Sequence, residues 1–251
     1  MASMALTAQA ATLTWDNGGA DDSLSTAGNW NPDQAPTSSD DLVIGLTGSS
    51  NTDLNSAYTV ADGRSFSGTA GTGNLVFRME DGGHLTVADG GTLDFTLGSG
   101  SGISVFTERG TTAASSGRKV TLEDGATFKV DRFLTHNDWT TEFVASATGV
   151  ATMEVTDLLR FRNSDTLLVD LNSYVNDIER TLILFDYASL IDEAATFTVL
   201  GYTSEQYTLN YAYDQGEGDL AVALTIVPEP GTFALLGGLL ALSYVMVRRR
   251  A

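Results

Sequence analysis

The chain has 251 residues, with 32 Asp and Glu against 13 Lys and Arg and a formal net charge of -19. A surface of that sign repels phosphate backbones and anionic headgroups, so nucleic-acid binding is excluded and acidic partners are disfavoured. The absence of cysteine rules out disulfide frameworks, thiolate metal sites and thiol catalysis, leaving a conventional buried core to hold the fold.

At the N-terminus, Ala8-Gln9-Ala10 fits the small-x-small pattern of a signal-peptidase site. The seven residues before it hold no Lys or Arg and too short an apolar stretch for a complete signal. Residues 1–10 therefore read as the remnant of a signal peptide. The expected true start lies upstream, with Met1 or Met4 a misassigned initiator. Residues 11–227 form the β-rich extracytoplasmic domain, long enough for one all-β core.

The first structured stretch runs from Leu13-Thr14-Trp15-Asp16-Asn17-Gly18-Gly19 through Gly28-Asn29-Trp30-Asn31 to Asp40-Asp41-Leu42-Val43-Ile44. It resembles the opening of surface-exposed, autotransporter-like β-helix proteins. That resemblance implies a solenoid whose open first coil needs a cap, and Trp15 and Trp30 would supply an apolar plug. The competing reading has the two indoles stacking on sugar rings.

Downstream, Asp-Gly pairs at 62–63, 81–82, 89–90 and 124–125 each precede an apolar strand start. Gly supplies the positive φ and Asp bonds its own turn. Residues 79–87, 87–95 and 122–130 read as versions of one unit. Period-two alternation runs through Leu85/Val87, Leu93/Phe95/Leu97, Phe128/Val130, Met153/Val155 and Leu167/Val169/Leu171. Such degenerate repeats predict a parallel β-helix-like solenoid. The steps between Asp-Gly pairs, 19, 8 and 35 residues, are irregular, so an antiparallel β-sandwich remains the alternative.

Polar chemistry is sparse. His84 sits beside a turn and reads as exposed and idle. The stretch 131–139 gathers Asp131, His136 and Asp138, the residues a polysaccharide-cleaving enzyme would need, yet reads better as a solvated loop. Gly18-Gly19-Ala20-Asp21-Asp22 and the Asp-Gly turns offer oxygen ligands without a complete calcium pattern, so no cofactor is expected beyond weak surface Ca2+. Near the end, Tyr207, Leu209, Tyr211 and Tyr213 face Leu220, Val222, Leu224 and Ile226 across a turn, a closing hairpin. The stretch 165–227 is similar to the end met in exported cargo of the class described next.

The tail is the most specific part. Pro228-Glu229-Pro230 precedes an uncharged run from Gly231 to Val247, then Arg248, Arg249, Arg250 and Ala251. That run would extend roughly 25 Å as helix, enough to cross hydrocarbon once. The arginines hold the tail end on the cytoplasmic side and place residues 1–227 outside. This tripartite segment, 228–251, resembles the PEP-CTERM sorting signal of Gram-negative bacteria. The resemblance implies recognition by a membrane exosortase, a single transmembrane helix over 231–247, cleavage near Pro228-Glu229-Pro230, and delivery to the cell surface or exopolysaccharide matrix. The prolines would hold the cleavage motif extended. The resulting expectation is a non-enzymatic, exported structural protein whose partners are exosortase, the membrane during sorting, and extracellular polysaccharide. Its rivals are a polysaccharide-acting β-helix enzyme and an uncleaved membrane-anchored surface protein.

Overall fold

The computed structural model describes residues 10–45, 50–69, 73–97, 102–108, 117–135, 138–162, 164–175, 180–192, 195–216, 219–227, 238–240 and 242. The chain opens with β1 (Thr12–Trp15), after which β2 (Trp30–Asn31) returns antiparallel to it. From there it winds through six coils, each laying down one strand on each of three faces. The first coil holds β3 (Asp41–Gly45), β4 (Ser50–Leu54) and β5 (Ala57–Val60), and the second β6 (Ser65–Thr69), β7 (Leu75–Met79) and β8 (His84–Val87). The third holds β9 (Thr92–Asp94), β10 (Ser104–Glu108) and β11 (Arg118–Glu123). In the fourth, β12 (Thr127–Leu134) runs unbroken around a corner before β13 (Trp139–Val144). The fifth repeats this with β14 (Met153–Phe161) and β15 (Thr166–Asp170). The sixth comprises β16 (Arg180–Tyr187), β17 (Leu190–Asp192) and β18 (Thr196–Leu200).

Every strand of the six coils pairs in parallel with its counterpart one coil away. Each coil is itself the crossover connection that parallel strands need, so the architecture requires no helix. The sandwich alternative is thereby overturned. Alternation then determines the core. Leu42, Phe66, Leu93, Phe128, Met153 and Phe185 form one inward ladder. Phe77, Phe106 and Phe133 form another, with rings stacked 4.8 and 5.5 Å apart. Nearly all of these side chains are sealed from water, and Phe95, Trp139, Phe143 and Phe161 extend the aromatic column. Every alternating pair anticipated from the sequence, from Leu85/Val87 to Leu167/Val169/Leu171, points its apolar members inward.

The irregular Asp-Gly spacing has a simple cause. Asp62, Asp89 and Asp124 occupy the same corner of successive coils, between the third face and the first, whereas Asp81 turns a different corner between β7 and β8. Removing Asp81 leaves steps from 62 to 89 and 89 to 124, the same intervals as Phe66 to Leu93 and Leu93 to Phe128 on the adjoining face. Repeat units 87–95 and 122–130 are therefore true structural equivalents, and 79–87 is a look-alike.

The two ends are treated differently. At the N-terminal end, Trp15 and Trp30 are buried edge to face at 5.1 Å, and Trp30 Nε1–H donates to the Leu24 carbonyl at 2.8 Å. Neither indole face is open to a sugar, so these residues plug the coil. At the other end, β19 (Tyr207–Gly216) and β20 (Asp219–Ile226) form the expected hairpin, with β20 antiparallel to β16. Its Tyr207, Leu209 and Tyr211 pack on the core but stay half-buried.

Candidate functional site

The point where the tail leaves the fold is well defined. Ile226 is buried and pairs with Arg180 on one side and Tyr207 on the other. Val227 then donates its N–H to the Gln206 carbonyl at 2.8 Å. One residue later the Pro-Glu-Pro motif begins. Pro228, Glu229, Pro230, the basic cluster Arg248, Arg249 and Arg250, and Ala8 lie outside the described residues, as does most of 231–247. Within that run residues 238–240 and 242 are helical. Among the described residues no helix is long and apolar enough to cross a membrane. Ala10 is the first described residue and is half-buried.

The stretch proposed for sugar cleavage is built into the wall. Asp131 lies inside β12, at the corner where its register shifts between Val130 and Arg132, and is buried. Its carboxylate accepts from the Ser104 N–H at 2.9 Å and the Thr156 hydroxyl at 2.9 Å, while its own N–H donates to Ser104 Oγ. It staples three adjacent coils. Asp138 is exposed at the next corner, with φ of 61°, and the strand residues 132–134 separate the two. His136 lies outside the described residues. The solvated-loop expectation is corrected for 131–134, which is strand, because a corner can be turned within a strand by one buried, hydrogen-bonded residue.

A polar chain that the sequence does not announce runs across the third face. His84 opens β8 rather than idling in a turn, and its Nε2 lies 3.0 Å from Thr121 Oγ1 on β11. The Thr121 hydroxyl donates to Glu142 Oε2 on β13 at 2.9 Å, and Lys119 Nζ approaches the same oxygen at 2.7 Å. With its own proton committed to Glu142, Thr121 must accept from His84, which assigns the imidazole proton to Nε2. Burial, then the Lys119 charge, pushes the His84 pKa down, against an opposing pull from Glu142. These residues are brought together only by coil register, Lys119 beside His84 and Thr121 beside Glu142. Knowing the 35- and 21-residue intervals is the one signal that would have found them.

The first face carries a parallel arrangement. Asp94, Lys129, Glu154 and Asp186 stand side by side on β9, β12, β14 and β16. Lys129 Nζ meets Glu154 Oε2 at 2.5 Å, and that bond holds the ammonium pKa above its usual value. Thr127, Lys129, Thr152, Glu154 and Asp186 line an open hollow of about 270 Å3. Such a surface can exchange hydrogen bonds with a hydrated, neutral polymer, although an exposed pair like this contributes only about 0–1 kcal/mol to the fold.

The first acidic loop considered for calcium is used internally: Asp22 pairs with Arg78 at 2.9 Å, and Asp21 accepts from the Ser23 N–H at 3.0 Å. Among the described residues no three His, Asp or Glu side chains converge as a metal site would require.

Fold and tail together define a parallel β-solenoid that ends, without a linker, in a C-terminal sorting signal. Residues 227–250 match the PEP-CTERM protein-sorting motif, which marks exosortase-dependent sorting of an exported protein. No curated protein and no solved structure matches the chain.

Proposed function

We propose that this is a non-enzymatic structural protein of the cell surface, delivered by exosortase into an extracellular polysaccharide matrix. Residues 231–247 cross the inner membrane during sorting, and cleavage near Pro228-Glu229-Pro230 releases the solenoid. The single observation that carries this reading is the match of 227–250 to the sorting motif, placed one residue beyond the last ladder pair. The strand wall up to Ile226 supports it, since the motif follows directly on the last residue that the ladder holds.

The coil's contribution is presentation. Rows of Thr, Asp, Lys and Glu on its first and third faces repeat at the strand spacing of about 4.8 Å, so a hydrated glycan can make many weak contacts whose strength comes from number. The enzymatic rival loses its carboxylate pair, because Asp131 is consumed in holding coils together and Asp138 stands at another corner. The matrix assignment is tested by fractionating cells that make or lack their exopolysaccharide. Processed protein should stay with the matrix of the first and appear in the medium of the second. Equal retention by both would remove the glycan from the proposal.

A further inference from the structure

Large apolar side chains are unevenly placed on this molecule. Among the described residues up to 227, those strongly exposed are Val175 at 71%, Ile191 at 46%, Leu200 at 39% and Val227 at 37%. All four lie at the C-terminal end of the solenoid. They are also spread around it: Val175 at the turn into the sixth coil, Ile191 on the second face, Leu200 at the end of the third, and Val227 at the tail's exit. Among the described residues no side of the coil carries a comparable row, so the apolar feature is a rim around one end.

Tyrosine follows the same bias. Of eight tyrosines in the chain, Tyr202, Tyr207, Tyr211 and Tyr213 stand between the end of β18 and the turn of the closing hairpin. Tyr207 and Tyr211 are half-buried against the core. Tyrosine is the side chain that favours the boundary between hydrocarbon and water, apolar in body and polar at the tip. The opposite end has no such rim, since the apolar plug of Trp15 and Trp30 there is sealed.

Chain length then fixes what lies next to the rim. Only Pro228, Glu229 and Pro230 separate Val227 from Gly231, a reach of about 14 Å even when fully extended. The headgroup layer itself takes up roughly 6 Å of that. From these observations we infer that, while the tail is inserted, the C-terminal rim of the solenoid docks end-on among the zwitterionic headgroups of the membrane the tail crosses. This rests on the reading that 231–247 spans the bilayer. Tethering so short a distance away raises the effective concentration enough for a small apolar rim to hold. Docked this way, the solenoid stands upright with its N-terminal end about six strand spacings, or ~29 Å, from the membrane. It also holds the Pro-Glu-Pro motif at the depth where a membrane enzyme works.

The native chain has no cysteine, so single-cysteine probes are clean. The full-length protein is reconstituted in phosphatidylcholine nanodiscs, with an environment-sensitive dye on Leu200→Cys, Ile191→Cys or Asp33→Cys and a headgroup spin label as quencher. Alkaline extraction of matching vesicles reports tail insertion separately. Docking predicts several-fold stronger quenching at positions 200 and 191 than at 33, and weaker quenching at 200 when Val175 and Ile191 are both changed to Ser. Equal quenching at both ends with an inserted tail overturns the docking and leaves the anchor intact. Protection of the rim only in discs holding two copies overturns it in favour of self-association. A tail that is extracted by alkali overturns the anchor reading and the docking with it.

Discussion

Gly90 and Gly125 stand where a side chain would collide with the coil before. A Cβ on Gly125 would lie 2.0 Å from Asp89 Oδ1, and one on Gly90 would lie 2.1 Å from Asp62 Oδ1, while both glycines hold positive φ. Gly63 has the same backbone sign but open space around it. Gly63→Ala should therefore cost about 1–2 kcal/mol, the left-handed penalty alone, and Gly125→Ala measurably more. Chemical unfolding of Gly125→Ala, Asp89→Ala and the double variant checks this. The double variant should recover the excess, and strictly additive effects would mean that the carboxylate is no obstacle. His84 gives a second prediction. Its folded pKa lies below its unfolded value near 6.5, so charging it opposes the fold. This contribution to stability is flat above about pH 7 and is lost as pH falls through the range below 6.5. Comparing thermal midpoints of the protein and His84→Gln from pH 7.5 to 5 should show a smaller acid decline in the variant. Parallel curves would place the titration elsewhere.

At the scale of elements, the strands were legible in the sequence and their partners were not. Leu93/Phe95 and Met153/Val155 announce a buried face by alternation, because a strand's inside and outside are encoded locally. Which strand sits beside which depends on coil length, and this varies from 21 residues between Thr121 and Glu142 to 35 between Leu93 and Phe128. Variable corners absorb the difference, so no fixed period survives to be read. The same blindness hid the His84, Thr121, Glu142 chain and mistook the Asp131 corner for a loop, while the sorting motif at 227–250, a local signal, was readable. The corners differ in tolerance accordingly. Between β10 and β11 the chain takes nine residues, from 109 to 117, whereas β11 and β12 are joined by Asp124, Gly125 and Ala126. One Gly added between 109 and 117 should change stability by less than ~1 kcal/mol. One residue added within 124–126 would turn Phe128 and Val130 outward and should cost several kcal/mol or abolish folding. Circular dichroism melts distinguish the two, and equal effects would contradict the corner assignment.

The whole molecule is polarised from end to end. Its N-terminus closes the coil with a paired indole plug, its six coils add a continuous aromatic core, and its hairpin hands the chain directly to the sorting motif. That layout fits a cargo that must fold outside the membrane while still tethered, then be cut free just beyond its last strand. The most direct measurement is the intact mass and membrane fraction of the protein in a native-type host with and without its exosortase. Loss of about 20 C-terminal residues together with release from the inner membrane, in the presence of the enzyme alone, is the predicted result. Full-length protein held in the inner membrane of both strains would contradict it, leaving a permanently anchored solenoid.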